Sequence, residues 1–277
     1  MAEPVITFAR RRWRNGVLAV AAGVGLIAWH TAYDVSLYQP AYLTGWLLLV
    51  LVLFLALYNG RKKLSMVPLG TAAAWLQWHI YLGFLAVLIF AMHVQWSIPN
   101  GTLERILALF FVAVAGSGLI GLYISRRYAR MLTRRREEVV LERIPQFIAE
   151  LRAQAEAVVL ESAVDTGSSS IADYYSSHLA DFFAGPRNMW LHLQGSRRAS
   201  FALMTDLDVM TRYLDDQEMV HADRMRHLVE RKDRLDYAHA LQSVLKGWLF
   251  VHIPATYGMI LLALVHLLLV YAFGSAR

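Results

Sequence analysis

Two long apolar segments each carry two histidines at the same spacing, and this repeat constrains the fold most strongly. His79 and His93 lie fourteen residues apart with no charged residue between them, and His252 and His266 lie fourteen apart in the last apolar segment. At about 100° per residue, fourteen residues make nearly four helical turns, so both histidines of a segment leave the same face. At about 1.5 Å per residue they stand about 21 Å apart, near opposite edges of a hydrocarbon layer about 30 Å thick.

The composition is typical of a membrane protein and excludes several kinds of redox site. Of the 277 residues, 57% are hydrophobic and only 17% are charged, unlike an ordinary soluble domain. There is no cysteine, which excludes disulfides, cysteine-ligated iron–sulfur clusters, zinc–thiolate sites and covalently attached haem. The net charge is +6, but the basic residues cluster beside apolar segments. We therefore expect them to set membrane topology rather than bind nucleic acid.

Five apolar segments are long enough to span a membrane as helices. The first, residues 16–33, follows a basic stretch but ends without a small-residue cleavage site, so we expect a retained helix rather than a cleaved signal peptide. The other four are expected at residues 42–58, 71–97, 106–125 and 248–273. The sequence thus predicts an all-α membrane protein with five transmembrane helices.

The basic clusters predict the orientation. They stand at the N-terminus, after the second helix and after the fourth. The links after the first and third helices together contain a single basic residue, Arg105. By the positive-inside rule, we expect the N-terminus in the cytoplasm and the C-terminus outside, in a bacterial-type inner membrane. The clusters are Arg10, Arg11, Arg12 and Arg14, then Arg61, Lys62 and Lys63, and then Arg126, Arg127, Arg130, Arg134, Arg135 and Arg136.

The segment between the fourth and fifth helices has a different character. It is charged with mixed sign and shows helical periodicity, for example at Ile144, Ile148 and Leu151. Glycine, serine and proline predict breaks at residues 167–170 and 184–187. Two aromatic pairs are expected either to pack its core or to face a partner: Tyr174-Tyr175 and Phe182-Phe183.

These features predict three parts of the chain. Residues 1–125 hold transmembrane helices one to four, and residues 126–246 form a cytoplasmic helical insertion. Residues 247–277 hold the fifth helix and a short outer tail. A loop as long as the insertion usually has a role of its own.

The topology brings the four histidines into two pairs. One span separates the two histidine-bearing helices, so these helices run parallel. His79 and His252 then share the inner edge of the membrane, and His93 and His266 share the outer edge. A lone membrane histidine often only hydrogen-bonds to its neighbours, but polar groups are costly in lipid, and four at matched depth favour a functional site. Two imidazoles can make a six-coordinate, electron-transferring haem, so each pair is predicted to hold the iron of one b-type haem.

Small residues lie on the faces that carry the histidines. Gly83 and Ala86 in the third helix, and Ala255 and Ala263 in the fifth, would leave space for a porphyrin edge or mediate helix packing. On the fourth helix, small residues at four-residue spacing predict a helix contact: Ala113, Ser117 and Gly121.

The paired histidine helices resemble those of the di-haem four-helix-bundle cytochromes b, as in the cores of the bc1 and b6f complexes and the membrane subunits of respiratory oxidoreductases. The resemblance covers the third and fifth helices. It implies that His79, His93, His252 and His266 are axial ligands of two haems b. It also implies an electron-transfer subunit of an oxidoreductase complex, with no catalytic residue of its own. The long insertion departs from this family, and no Pro-Glu-Trp-Tyr motif of its quinone sites is present.

The leading hypothesis is therefore a subunit that carries electrons across the bilayer between a quinone or periplasmic carrier and a redox partner. The expected partners are membrane lipid, a quinone, a periplasmic c-type cytochrome and a cytoplasmic redox subunit docked on residues 126–246 by their Tyr- and Phe-bearing helices. One alternative is a cytochrome b561-like or ferric-reductase-like enzyme acting alone. Another is a transporter or structural anchor without redox function.

The remaining histidines carry weaker predictions. His30, close to Tyr33 and Asp34, would contribute to a proton or quinone site or act as an interfacial anchor. The other histidines are scattered in the insertion and are assigned no metal: His178, His192, His221, His227 and His239.

Overall fold

The computed structural model describes residues 5–35, 40–63, 71–135, 140–196 and 198–273. The first four helices are α1 (Val5–Val35), α2 (Pro40–Lys63), α3 (Ala72–His93) and α4 (Thr102–Arg135). A 3₁₀ turn (Leu141–Arg143) precedes α5 (Ile144–Thr166), which is followed by α6 (Ser170–Tyr174), a π-helical turn (Tyr175–Leu179) and α7 (Ala180–Phe183). The last three helices are α8 (Met189–Leu193), α9 (Arg198–Thr211) and α10 (Asp216–Phe273). None of these described residues forms a strand.

Five helices are long and apolar enough to cross a membrane, namely α1, α2, α3, α4 and α10. The prediction of an all-α protein with five such helices is confirmed. Large apolar side chains on these helices are exposed: Val24 is 61% exposed, Leu109 is 68% exposed and Leu268 is 69% exposed. Extensive apolar exposure of this kind is compatible with a multi-pass membrane protein.

All five apolar helices differ in extent from the sequence prediction, and α1 already begins at Val5 rather than at residue 16. α3 ends at His93 rather than Ser97, because Gln95 and Trp96 adopt left-handed backbone conformations with φ of 51° and 55°. α4 continues beyond Ser125 to Arg135, and α10 begins at Asp216 rather than Trp248. The added stretches contain neither glycine nor proline apart from one glycine, at position 247. Their charged residues end the apolar segment without ending the helix.

The contacts divide the chain into two compact units, Met1–Leu119 with Phe250–Arg277, and Ile120–Leu249. We name the first the bundle unit and the second the insertion unit. The core of the bundle unit takes one buried side chain from each of α2, α3, α4 and α10, namely Val52, Ala86, Phe111 and Met259. These four helices therefore form a bundle, and α1 contacts α3 and α2 at its side.

Two polar contacts fix the direction of α2 against α10 in the bundle unit. Trp46 Nε1 donates to the hydroxyl of Tyr271 at 2.9 Å, and Asn59 Nδ2 donates to the hydroxyl of Tyr257 at 3.3 Å. The later residue of α2 thus contacts the earlier residue of α10. The two helices are antiparallel, as the order of five membrane spans requires.

The insertion unit has an apolar core built from α5, α6, α7, α9 and α10. Its aromatic pairs belong to that core, since Tyr174 and Tyr175 are each 9% exposed and Phe182 and Phe183 are 4% and 1% exposed. Of the two expectations for these side chains, packing in the core of the insertion unit is confirmed. Burial, with a smaller contribution from Asp206, raises the pKa of Tyr174 to about 12, so the phenol stays neutral at physiological pH.

The helix ends in the insertion unit follow local chemistry. α5 ends at Gly167, which adopts a left-handed conformation and whose N–H donates to the carbonyl of Ala163 at 3.1 Å. At the start of α10, the N–H of Glu218 donates to Asp215 Oδ1 at 2.7 Å, and the N–H of Asp215 donates to Glu218 Oε2 at 3.1 Å. This reciprocal pair is a capping box. The helices are interrupted between α5 and α6 and between α7 and α8, which confirms the breaks predicted at residues 167–170 and 184–187.

Candidate cofactor site: two histidine pairs

The structure brings together His93 of α3 and His266 of α10 in the bundle unit. Their ring centroids are 6.5 Å apart and their planes are nearly perpendicular, at 84°. A metal held by both rings would lie about 2 Å from each nitrogen, and a ring nitrogen is about 1 Å from its centroid, so the centroids would stand about 6 Å apart. The observed centroid separation is therefore close to the one that two ligands of a single iron would have.

His79 and His252 form the second pair, one on α3 and one on α10. His79 lies against α2 and His252 against α4, as His93 and His266 do. His79 also packs against Tyr58, with ring centroids 5.3 Å apart. The two pairs lie fourteen residues apart on each helix, and Ala86 and Met259 of the bundle core lie midway between them in sequence. The bundle unit thus presents two histidine pairs with packed apolar side chains between them. We name them the 79/252 pair and the 93/266 pair.

Each of the four imidazoles has its Nδ1 atom directed at a group on a neighbouring helix. His79 Nδ1 lies 3.1 Å from the carbonyl oxygen of Leu55, and His93 Nδ1 lies 3.0 Å from that of Ala41, both on α2. On α4, the partners are Ser117 Oγ, 2.6 Å from His252 Nδ1, and Glu104 Oε1, 3.9 Å from His266 Nδ1. Histidines that ligate metals commonly engage their second nitrogen in this way.

The partners fix which ring nitrogen carries the proton. A carbonyl oxygen only accepts, so His79 and His93 donate through Nδ1–H. Ser117 Oγ lies 2.8 Å from the carbonyl oxygen of Val114 and 2.6 Å from His252 Nδ1, and a serine that donates to this carbonyl accepts from His252 Nδ1–H. In each neutral ring, Nε2 is then the nitrogen with the lone pair that a metal requires.

These partners were largely invisible in the sequence. Backbone carbonyls such as those of Ala41 and Leu55 have no residue signature. Ser117 was expected only in a helix contact, and the structure adds its hydrogen bond to His252. Glu104 could have been singled out from the sequence, since it is the single acidic residue in the first turn of an apolar helix.

The small residues on the histidine faces play different parts. A Cβ added at Gly83 would meet no atom within 4 Å, so open space lies beside α3 there. Ala86, by contrast, is 3% exposed in the bundle core and mediates helix packing. At Gly45 of α2, an added Cβ would come within 2.9 Å of Cε1 of His93. Gly45 therefore makes room for the His93 ring.

The fourth-helix stripe is only partly a helix contact. Gly121, within the insertion unit, lies directly against the indole of Trp248 on α10, and a Cβ there would clash with the ring. Ser117 contacts His252, whereas Ala113 is exposed.

The remaining histidines lie on α1 or in the insertion unit. His30 of α1 is half-buried, and its Nε2 has no hydrogen-bond partner among the described residues. In the insertion unit, His221 Nε2 lies 3.2 Å from Asp165 Oδ2, and His178 stacks on Tyr174 with centroids 4.9 Å apart. Within the described ranges, no three His, Cys, Asp or Glu side chains are grouped to hold a metal ion. A haem iron needs only two protein ligands because the porphyrin supplies the other four.

Comparison with models of protein families, with curated proteins and with solved structures finds no match to this chain.

Proposed function

We propose that this protein is a membrane di-haem cytochrome b that carries electrons across the bilayer. The observation that carries the proposal is the 93/266 pair, whose two rings lie 6.5 Å apart on separate helices of one bundle. The 79/252 pair repeats the arrangement fourteen residues away on both helices. This offset corresponds to about 21 Å of helix rise, a distance that covers most of the hydrocarbon layer.

The donor set fits haem. The four imidazoles would hold the haem iron through Nε2, while hydrogen bonds to groups on α2 and α4 hold Nδ1 of His79, His93 and His252. Between the pairs, Val52, Ala86, Phe111 and Met259 pack together and keep water out of the centre of the bundle. Haem bound at both pairs supplies reversible one-electron transfer.

The proposal includes an orientation and partners. The basic clusters support a cytoplasmic N-terminus and insertion unit, with the 79/252 pair on the inner side of a bacterial-type inner membrane. The side chains of Arg61, Lys62 and Lys63 lie outside those that the structure describes. A quinone or a periplasmic c-type cytochrome would exchange electrons at one side, and a soluble redox subunit would bind the insertion unit. The Tyr and Phe pairs of that unit are buried, so other side chains would make the contact. Three exposed aromatic residues are suited to it: Trp190, Phe201 and Tyr213.

Alanine at Gly45 is expected to perturb the haem at the 93/266 pair. The new methyl group would approach His93 Cε1 to 2.9 Å, so the ring must shift within its hydrogen bond to Ala41. We expect a changed midpoint potential or spin state for one haem component in a spectroelectrochemical titration. Gly118→Ala is the matched control, because its methyl group would lie 3.9 Å from His252 Cε1, an ordinary contact. Equal effects of the two substitutions would argue against this account of Gly45.

Electron transfer across a sealed membrane tests the proposed function. The purified protein would be placed in liposomes that contain trapped ferricyanide, and a membrane-impermeant reductant would be added outside. We expect bleaching of the trapped ferricyanide at a rate well above that of protein-free liposomes. A His93→Ala, His266→Ala double variant should lose this activity. Haem-loaded liposomes that leave the ferricyanide oxidised would overturn transmembrane transfer.

A further inference from the structure

The two histidine pairs differ in the chemistry of the groups behind them. On α2, both pairs contact a backbone carbonyl, that of Leu55 or that of Ala41. On α4, the 79/252 pair meets a neutral hydroxyl, Ser117, and the 93/266 pair meets a carboxylate, Glu104. The two sites therefore differ on their α4 side, where the 93/266 pair has an acidic neighbour and the 79/252 pair does not.

We propose that Glu104 is a positioning residue that lowers the midpoint potential of the haem at the 93/266 pair. The inference rests on the proposed function, because it concerns the haem that this pair would hold. Glu104 Oε1 lies 3.9 Å from His266 Nδ1, beyond hydrogen-bond length, and the Glu104 side chain is 43% exposed. A carboxylate this close to an iron ligand acts through its charge and favours the more positive, ferric iron.

The carboxylate position depends on a neighbouring glycine. A Cβ at Gly101 would clash with the Glu104 carboxylate, so glycine is what allows the acid to fold back over the start of α4. The carboxylate is the far end of a flexible side chain, and an alanine at position 101 would push it aside without removing its charge. This gives two independent ways to disturb the same contact, one through charge and one through position.

Potentiometric titration of the purified full-length protein, followed in the haem α-band, tests the proposal. The component lost in His93→Ala identifies the 93/266 haem. Glu104→Gln should raise the midpoint potential of that component and leave the other unchanged. At a fixed applied potential, we expect its oxidised-to-reduced ratio to fall by up to about tenfold, a small effect because the Glu104 charge is partly exposed to solvent. Gly101→Ala should shift the same component in the same direction, and Glu104→Asp should restore part of the shift.

Two further variants complete the design. Ser117→Ala should move only the component of the 79/252 pair, and Glu142→Gln, in the insertion unit, should move neither. A protein that binds two haems but shows no shift in Glu104→Gln, or an equal shift of both components, would overturn the role of Glu104 and leave the proposed function standing. A protein that binds no haem would overturn both.

Discussion

Alanine at His79 or His252 is expected to change the spectrum of one haem, and alanine at His93 or His266 the spectrum of the other. An iron that loses one axial imidazole becomes five-coordinate or takes up water, which changes its spin state and potential. Each substitution also leaves a void beside the macrocycle, so partial loss of that haem should follow. Low-temperature spectra and redox titrations of the four single variants give the grouping directly.

The grouping follows from geometry that the structure already contains. The rings of His93 and His266 are 6.5 Å apart, and His79 and His252 each precede them by fourteen residues on the same two helices. His227→Ala, at an exposed position of the insertion unit, is the control and should leave both haems unchanged. A grouping of His79 with His266 would mean that α3 and α10 run antiparallel. Four variants with unchanged spectra would show that these histidines are not ligands.

Removal of the carboxylate of Asp236 is expected to destabilise the insertion unit by about 3–5 kcal/mol, the usual cost of leaving a buried charge without its partner. Asp236 Oδ2 accepts from Lys232 Nζ at 2.6 Å, and both side chains are fully buried. Lys232 Nζ also donates to the carbonyl of Gly185 at 2.6 Å and lies 4.4 Å from the centre of the Phe182 ring. In Asp236→Ala, the ammonium would keep these contacts but lose its counter-charge.

Hydrogen exchange followed by mass spectrometry on the full-length protein measures this loss through the protection of α5, whose inner face lies in the core of the insertion unit. Glu142→Ala is the control, because its ion pair with Lys246 is exposed and should matter little. A combined Lys232→Met, Asp236→Leu variant should recover much of the protection, since apolar residues can replace a buried ion pair. Unchanged protection in Asp236→Ala would contradict the importance of this pair.

The sequence was sufficient for the number of apolar helices because a run of about twenty apolar residues has few other solutions. It also predicted the breaks at residues 167–170 and 184–187, where glycine, serine and proline interrupt the pattern. The extents of α4 and α10 were missed for a physical reason. The membrane limits the apolar part of a helix, while the hydrogen-bonded backbone continues through charged residues until a breaking residue or a turn intervenes.

The four histidines of the candidate site were predictable from the sequence, but most of the groups that contact their Nδ1 atoms were not. The spacing of His79, His93, His252 and His266 is visible in the sequence, because side chains on one helix face repeat with the helix period. The contacts to the carbonyls of Ala41 and Leu55 are not visible in the sequence, because every residue carries a carbonyl. Only the packing of α2 against α3 brings these two carbonyls to the histidines. For the aromatic pairs of the insertion unit, the sequence left both core packing and a partner contact open, since a buried aromatic cluster and an exposed one have the same composition.

The haem content of the purified protein tests the central claim most directly. A pyridine haemochrome assay set against the protein concentration should give two non-covalent haems b per chain, with a reducible Soret band. The content should fall towards one in a variant with alanine at both His93 and His266, and towards zero when His79 and His252 are also replaced. A colourless protein, or a haem content unaffected by the four substitutions, would contradict the account.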